Sequence, residues 1–299
     1  MDGLILINKQ KGFTSHDVVN VIRKKLNTKK VGHTGTLDPN ATGVLPILIG
    51  KGTKISKYLM EHDKTYIATL KLGEKTDTGD SEGQVIEEKS IPKDLRKEDI
   101  NDVLQSFLGK QKQLPPMYSA IKINGKKLYE YAREGKEVKI EPRNIEIYKI
   151  ELLEYQNNKI KFEVECSKGT YIRTLCEDIS QKLGTVGYME ELQRTKVNTF
   201  KIEDSILLDD ITLENAEKNI IKIEKVFKEK DKINKLIDKY DISTTPILTS
   251  LNMKIDDNIA GGDIYSSSNK NNFLLETISD SEDLKGRIKI SSSLAKKLG

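Results

Sequence analysis

The sequence lacks tryptophan altogether and contains only two cysteines and three histidines among its 299 residues. The cysteines, Cys166 and Cys176, do not have a CxxC spacing, so we expect two buried free thiols rather than a metal site or a redox pair. The histidines are scattered along the chain and do not form the clusters that bind zinc. No metal site is therefore expected.

Long apolar runs are also missing from the sequence. No segment approaches the ~20 consecutive apolar residues that a membrane-spanning helix needs. The N-terminal segment MDGLILINKQKG has only four apolar residues in a row, Leu4 to Ile7, which is too few for the apolar region of a signal peptide. With 32% charged and 36% hydrophobic residues, the composition is that of a soluble globular protein. We expect a cytoplasmic protein with no membrane partner.

Charge is distributed unevenly, although the formal net charge is only +4. Residues 1–60 contain ten Lys and Arg against three Asp and Glu, and residues 110–149 contain ten against five. The intervening residues 61–105 are acidic, with seven against twelve. The two basic blocks fit phosphate contacts with a nucleic acid, and lysine-rich solvated faces are the alternative explanation.

Hydrophobic periodicity predicts a mixed α+β domain that is built on a largely antiparallel sheet. Apolar or alternating runs predict strands at residues 3–8, 44–49, 65–72, 145–155 and 159–167. Helical spacing predicts helices after the N-cap candidates Thr14 and Ser15, and at residues 53–60, 98–108, 172–183 and 208–239. Tight turns are predicted at Asn124-Gly125 and Asn157-Asn158. Residues 1–240 are interpreted as one domain, and residues 241–299, rich in Ser, Asn and Asp, as a separate C-terminal segment.

The segment VGHTGTLDPNATGVLPI interrupts all periodicity between two apolar elements. It concentrates Gly32, Gly35 and Gly43 around Asp38, a composition typical of a loop with unusual backbone conformations. Asp38 precedes a proline, which favours extended backbone and can fix the carboxylate either for attack or for capping a turn. Neither this loop nor GKGTK matches the nucleotide-binding patterns GxxxxGK[ST] and GxGxxG, so no cofactor is expected.

The segment GHTGTLDPNATGVL resembles the catalytic motif of the TruB family of tRNA pseudouridine-55 synthases. The other blocks of that family occur in the expected order as GLILINKQKGFTSHDVV, YIATLKLGEKTDTGDSEG, QLPPMYSAIKINGKKLYEYAREG, SKGTYIRTLCED and LQRT. The resemblance covers residues 3–205. It implies a pseudouridine synthase fold, with a central mixed, largely antiparallel sheet flanked by helices and loops. It also implies isomerisation of uridine 55 in the T-loop of tRNA to pseudouridine, without a metal or a cofactor.

The resemblance further implies that Asp38 attacks the target uridine, at either the base or the sugar, before the base turns and rejoins the ribose through C5. An attacking carboxylate must be ionised in a closed pocket and therefore needs a neighbouring cation. Arg173 matches the arginine that the family places there; a surface arginine in a first helical turn would oppose the helix dipole. Tyr66 matches the tyrosine that stacks on the base and helps to remove the C5 proton, and a core tyrosine is the alternative.

Other residues match family positions that contact the RNA. His33 corresponds to a histidine that fills the space left by the flipped base, although a lone histidine is more often structural. Tyr171 and Leu192 correspond to the lining of the uracil pocket, with ordinary packing as the alternative. Looser candidates for RNA contact are Lys64, Asp80, Lys122 and Lys126. The expected partner is the T-arm of tRNA, bound by a monomer.

The chain departs from the family pattern at three places. Gln10 stands where relatives usually have proline, and Asn198 stands where they usually have glycine, although asparagine tolerates the left-handed backbone conformation better than most residues. Many relatives end in a PUA-type RNA-binding domain. We interpret residues 241–299 as either a divergent PUA-like domain or a loose tail.

Two rival functions share part of this pattern. Guide-RNA-dependent enzymes that modify ribosomal RNA have the same catalytic motif, but the short segment before the first strand favours the stand-alone bacterial type, with no guide RNA. A non-catalytic RNA chaperone has no need for Asp38, Tyr66 and Arg173 together, because a buried ion pair is costly. The isomerase is therefore the favoured function.

Overall fold

The computed structural model describes residues 1–136, 138–226, 276–277 and 288–289. The chain divides into two compact units, of which one comprises residues 5–48 and 53–219 and the other residues 1–4, 49–52 and 220–299. All candidate site residues lie in the first of these, which we call the catalytic unit. The predicted domain boundary at residue 240 lies outside the described residues, so it stays a prediction.

Strands make up much of the described chain. In chain order they are β1 Gly3–Lys9, β2 Val31–His33, β3 Thr42–Ile49, β4 Lys64–Leu72, β5 Glu74–Thr76, β6 Val85–Glu88, β7 Gly109–Gln113, β8 Lys122–Ile123, β9 Lys126–Lys127, β10 Arg143–Gln156, β11 Lys159–Cys166, β12 Gly187–Val197, β13 Phe200–Lys201, β14 Ile206–Leu207, β15 Glu276–Thr277 and β16 Ile288–Lys289. Within the described residues, ten of them form one sheet in the order β14-β1-β3-β12-β4-β11-β10-β7, with β2 beside β3 and β13 beside β12.

Most neighbouring strands of this sheet run antiparallel. The series β12, β4, β11, β10 and β7 is antiparallel throughout, whereas β12 is parallel to β3 and β1 is parallel to β14. Alternation along β4 places the buried residues Tyr66, Ala68 and Leu70 on one face. The predicted mixed, largely antiparallel sheet is confirmed.

The helices are short. They are α1 Ser15–Lys25, α2 Ser56–Met60, α3 Lys97–Gln105, α4 Leu128–Arg133, α5 Ile172–Lys182, α6 Ala216–Asn219 and α7 Ile223–Val226. Helix α1 begins at the predicted cap, where the Thr14 hydroxyl accepts the Asp17 N–H at 3.0 Å and the Asp17 carboxylate accepts the Thr14 N–H at 2.9 Å. The predicted helix at residues 53–60 begins instead with a 3-10 turn, Gly50–Ile55, before α2.

The predicted asparagine turns are confirmed. Asn124 and the Asn157-Asn158 pair have φ values of 51°, 52° and 61°, and each lies between paired antiparallel strands. Asn198, where relatives usually have glycine, has φ 54° and turns the chain from β12 into β13. The left-handed turn therefore survives the replacement of glycine by asparagine.

The prediction of one long helix at residues 208–239 is wrong over its described part, where α6 and α7 are single turns. Thr212 and Asn215 exchange hydrogen bonds as a helix cap. The helix that follows ends at Asn219, and Ile221 pairs with the backbone of Leu4, with hydrogen bonds of 2.7 and 2.9 Å, so the chain cannot continue as one helix. Residues 227–239 lie outside the described residues. So does the C-terminal segment, apart from the paired strands β15 and β16.

The sequence also gave expectations about the two cysteines and about membrane-spanning segments. Cys166 and Cys176 are buried free thiols, as the sequence predicted. Among the helices of the described residues, none has the length and apolar character needed to cross a membrane.

Candidate active site

Asp38 lies in a loop that is fixed on both sides, by Lys9 at the end of β1 and by Ser15 at the start of α1. The Ser15 hydroxyl exchanges hydrogen bonds with the backbone of Leu37, accepting its N–H at 2.9 Å and donating to its carbonyl at 3.2 Å. On the other side, the Lys9 ammonium donates to the Pro39 carbonyl at 3.0 Å and to the Phe13 carbonyl at 2.7 Å. The loop therefore presents the Asp38 carboxylate from a rigid backbone.

Close strand contact at the end of the loop also fixes it. Gly43 has φ 106°, and a Cβ atom there would lie 2.2 Å from the Arg194 carbonyl oxygen. Only glycine permits this approach of β3 to β12. The glycine-rich composition noted in the sequence thus has a packing reason at Gly43.

Arg173 in the first turn of α5 is the cation beside Asp38. Its Nε lies 3.3 Å from the Asp38 carboxylate, and its Nη1 lies 3.5 Å from the carboxylate of Asp80. The same guanidinium donates to the backbone carbonyls of Thr78 at 3.1 Å and Tyr118 at 2.7 Å. Arg173 is only 7% exposed. The two carboxylate oxygens and the two carbonyl oxygens around the guanidinium fix its position.

The electrostatics of Asp38 reflect two opposing effects. Burial raises the pKa of the Asp38 carboxyl above its ordinary value, and the neighbouring Arg173 guanidinium opposes that rise. Asp80 raises it further, and Lys9 lowers it. The Asp38 side chain keeps 36% exposure, whereas the Arg173 side chain keeps 8%. The carboxylate is thus the more exposed end of the ion pair.

The register of β4 and β12 builds the other wall of the site. Tyr66 lies directly opposite Arg194, and Ala68 lies opposite Leu192, so Leu192 and Arg194 share the face of Tyr66 because side chains alternate along a strand. A register shift between Arg194 and Lys196 follows immediately. The Leu-Gln-Arg sequence therefore supplies an apolar and a cationic residue to one wall.

Arg194 is 1% exposed and donates to the Val44 carbonyl at 2.9 Å and to the Gly35 carbonyl at 3.4 Å. Burial raises the pKa of Tyr66 to about 12, while the positive charge of Arg194 acts in the opposite direction. Tyr66 is therefore a neutral phenol near neutral pH. Its ring is held in place by the strand register and by Arg194 together.

These walls enclose a pocket of about 510 Å³ within the catalytic unit. Of the residues singled out from the sequence, those that line it are Asp38, Lys64, Tyr66, Tyr171, Arg173 and Leu192. Tyr171 precedes α5, and its backbone N–H and carbonyl both bond to the Gln113 side chain, at 2.8 and 3.0 Å. Sequence positions more than a hundred residues apart thus converge on one cavity.

The other candidates lie around the pocket in different roles. His33 does not line it; its Nδ1 accepts the Gly35 N–H at 3.3 Å, and burial together with the Arg194 charge lowers the pKa of His33. Lys64 directs its ammonium to the Met60 and His62 carbonyls, and burial lowers the pKa of Lys64 to about 8. Asp80 is 8% exposed, and its carboxylate lies 3.5 Å from Nη1 of Arg173.

Lys122 and Lys126 lie on the β8–β9 hairpin. Lys126 pairs with Glu134 and lies 4.8 Å from the centre of the Tyr131 ring. Over the part of the chain that the structure describes, no cluster of His, Cys, Asp or Glu side chains is arranged to bind a metal ion.

Sequence reasoning missed three residues that hold the site together: Lys9, Gln113 and Arg194. Lys9 is fully buried, and burial lowers its pKa to about 8; a lysine ending an apolar strand gave no sign of this. Arg194 could have been found, because it stands two residues after Leu192 and shares its face on a strand. Gln113 gave no local signal.

Comparison with known proteins identifies the family. A family model described as TruB family pseudouridylate synthase, N-terminal domain, matches residues 23–172, and one described as the tRNA pseudouridylate synthase B C-terminal domain matches residues 173–237. The chain is 48% identical over 233 residues to tRNA pseudouridine synthase B of Francisella philomiragia, covering 77% of each chain. It is 51% identical over 240 residues to that of Clostridium tetani, covering 80% of this chain and 82% of the relative.

Solved structures agree at the level of the fold. A chain of a Cbf5-Nop10-Gar1 complex matches with 29% identity and a TM-score of 0.56, covering 83% of this chain and 59% of that one. A chain of an H/ACA RNP bound to a substrate RNA containing 2'-deoxyuridine matches with 30% identity and a TM-score of 0.54, covering 73% and 56%. The present chain thus spans less than two thirds of either solved chain. By its family matches and its relatives, the chain belongs to the TruB family of pseudouridylate synthases.

Proposed function

We propose that the protein isomerises uridine 55 in the T-loop of tRNA to pseudouridine, with Asp38 as the nucleophile. The observation that carries this proposal is the ion pair of Asp38 and Arg173 at the pocket wall, with Nε and the carboxylate 3.3 Å apart. A carboxylate that is open to the pocket and backed by a buried guanidinium suits attack on a substrate. The family membership and the names of the relatives support tRNA as the substrate.

The reaction needs no oxidant, reductant or second substrate. The bond between N1 of uracil and C1' of ribose breaks, the base turns, and a bond forms between C5 and C1'. C5 loses its proton and N1 gains one, so the product has the atoms of the substrate. Arg173 keeps the Asp38 carboxylate ionised against the cost of burial, which is the charge state that attack requires.

The opposite wall of the pocket suits the base itself. The Tyr66 ring and Leu192 offer an aromatic and an aliphatic surface, on which a flat uracil ring can stack. Because the pKa of Tyr66 is raised to about 12, the free protein holds a phenol rather than a phenolate. Removal of the C5 proton through Tyr66 therefore depends on Arg194, whose charge favours the phenolate.

The target base must leave its stack to reach a pocket of this kind, which costs a few kcal/mol. We assign His33 to the space that the base leaves. Burial and Arg194 both lower the pKa of His33, so the ring is neutral near neutral pH, and a neutral flat ring stacks well against bases. His33 lies outside the pocket lining, consistent with a role beside the flipped nucleotide rather than under it.

Release of tritium tests the proposed activity. Full-length tRNA and an isolated T-arm stem-loop, each carrying tritium at C5 of uridine, are incubated with the protein in the presence of a chelator and without any guide RNA. We expect release of one equivalent from both RNAs and none when the target uridine is replaced by cytidine. No release from either RNA would exclude the isomerase, and release only after a guide RNA is added would point to the guide-dependent class.

A further inference from the structure

A second cavity in the catalytic unit adjoins the pocket. It has a volume of about 600 Å³ and shares Ser167 with the catalytic pocket. The residues that line it are Lys110, Gln111, Lys112, Asn144, Ile145, Glu146, Ser167 and Lys168. We call this cavity the β7 groove, because Lys110, Gln111 and Lys112 of β7 line it.

Strand geometry explains why two lysines face this groove. Among the described residues, β7 is the last strand of the sheet and pairs with β10 alone, with Lys110 opposite Glu146 and Lys112 opposite Asn144. Residues two apart on a strand share a face and lie about 7 Å from each other. Lys110 and Lys112 are both exposed, so β7 presents a pair of ammonium groups along an open sheet edge.

The charges of the groove are mostly uncompensated. Neither Lys110 nor Lys112 forms an ion pair with any described residue, whereas Lys168 pairs with Glu61. Glu146 is the one carboxylate among the lining residues. An exposed edge strand also gains from lysines because they discourage pairing with other strands. That role does not require the lysines to line a cavity that shares a lining residue with the pocket beside Asp38.

We infer that the β7 groove binds the sugar-phosphate backbone next to the target uridine, with Lys110 and Lys112 each neutralising a phosphate. This inference rests on the proposed function. A nucleotide whose base enters the pocket must leave its backbone beside the pocket, and Ser167 lines both cavities. Ammonium groups are suited to phosphates because they supply charge without a demand for a particular base.

Salt dependence of RNA binding tests the inference. In full-length protein carrying Asp38→Asn, which prevents turnover, the dissociation constant for a T-arm stem-loop is measured between 50 and 200 mM salt. Loss of two phosphate contacts should reduce the slope of log affinity against log salt by about 1.4 to 1.8 in the Lys110→Ala/Lys112→Ala variant. Over this salt range, the variant should therefore lose about tenfold less affinity than its parent.

A charge-matched control separates the groove from net charge. Lys93→Ala/Lys97→Ala also removes two exposed lysines that form no ion pair with any described residue, and neither residue lines the groove. We expect this control to keep the parental slope. Equal slopes for the two double variants, or an unchanged slope in Lys110→Ala/Lys112→Ala, would overturn the inference.

Turnover distinguishes this inference from the proposed function. With Asp38 intact, Lys110→Ala/Lys112→Ala should raise the KM for the T-arm stem-loop more than it lowers kcat, because the groove contributes to affinity, whereas Lys93→Ala/Lys97→Ala should keep both parental values. A fall in kcat without a rise in KM would contradict the groove assignment. Failure of the unmodified protein to release tritium would instead sink the proposed function, and the binding slopes would still report on the groove.

Discussion

Arg173 and Arg194 are both buried and both line the pocket, but they contact different groups. Arg173, at the start of α5, lies within 3.5 Å of the Asp38 and Asp80 carboxylates. Arg194, in β12, has no carboxylate partner among the described residues and bonds instead to the backbone carbonyls of Val44 and Gly35. Arg173 therefore balances the charge of carboxylates, whereas Arg194 holds neighbouring backbone segments together. A buried arginine is therefore interpreted by its partners and not by its burial.

Of the substitutions at the two arginines, Arg173→Ala should have the larger effect on activity. Loss of the guanidinium removes the effect that opposes the raised Asp38 pKa, and a fall in rate of about 10²- to 10³-fold is expected for loss of one such electrostatic group. Because the base form of Asp38 attacks, the remaining activity should shift toward higher pH. Single-turnover rates across pH measure both effects.

The conservative variant sharpens this expectation. Arg173→Lys keeps the charge but loses the planar group that spans Asp38, Asp80 and two carbonyls, so its rate should lie between the wild type and Arg173→Ala, with a smaller pH shift. Identical pH profiles for Arg173→Ala and the wild type would remove Arg173 from the account.

Arg194→Lys is expected to change stability before chemistry. A lysine cannot reproduce the bonds to the Val44 and Gly35 carbonyls from the same position, so we expect a loss of about 2 kcal/mol in the free energy of unfolding, measured with denaturant. Tyr66→Phe serves as the comparison variant, because it removes the hydroxyl on which the Arg194 charge acts and keeps the ring. If Arg194→Lys were as stable as the wild type, the supporting role of Arg194 would be wrong.

His33→Ala should have a moderate effect that falls on turnover. The ring supports the flipped state, whereas phosphate contacts supply most of the affinity, so we expect a fall of about tenfold in the saturated rate and little change in the dissociation constant for tRNA. The experiment compares single-turnover rates with equilibrium binding. A loss of binding as large as the loss of rate would make His33 an ordinary contact.

Asp38→Asn should give the smallest effect when stability alone is measured. The pKa of Asp38 is raised in the folded protein, so its ionised form disfavours folding above that raised pKa, and the penalty disappears as pH falls toward the unfolded value. The amide should therefore raise the melting temperature slightly near pH 7, by an amount that shrinks toward pH 4. A lower melting temperature for Asp38→Asn at pH 7 would show that the Arg173 ion pair outweighs the cost of burial.

The sequence predicted the parts of the site that have local signals. The Asp38 loop was marked by its glycines, Arg173 by its place at a helix start, and Tyr66 by the alternation of β4. Strand β12 escaped prediction because GYMEELQRTKV is mostly polar and lies between β3 and β4, which only the tertiary fold brings together. The same holds for Lys9, whose three carbonyl partners include Pro39, thirty residues away.

The family resemblance supplied roles that the residue pattern left open, notably the choice between a nucleophile and a turn cap for Asp38. In the structure, the backbone of Asp38 forms a turn and its side chain forms an ion pair. Its carbonyl accepts the Ala41 N–H at 3.1 Å, and its carboxylate faces Arg173. The turn is made by the backbone, which leaves the side chain available. A turn-forming aspartate and a reactive aspartate are thus compatible in one residue.

Pseudouridine formation by Asp38→Asn tests the central claim most directly. The amide keeps the size of the side chain and removes the nucleophile, so single-turnover formation should fall by at least about 10⁴-fold, while the variant stays folded and binds the T-arm stem-loop with wild-type affinity. Product is measured by tritium release at saturating RNA, with Asp2→Asn, an exposed aspartate outside the catalytic unit, as the control for the chemistry of the substitution. Pseudouridine made by a folded, RNA-bound Asp38→Asn protein at a rate near that of the control would contradict the account.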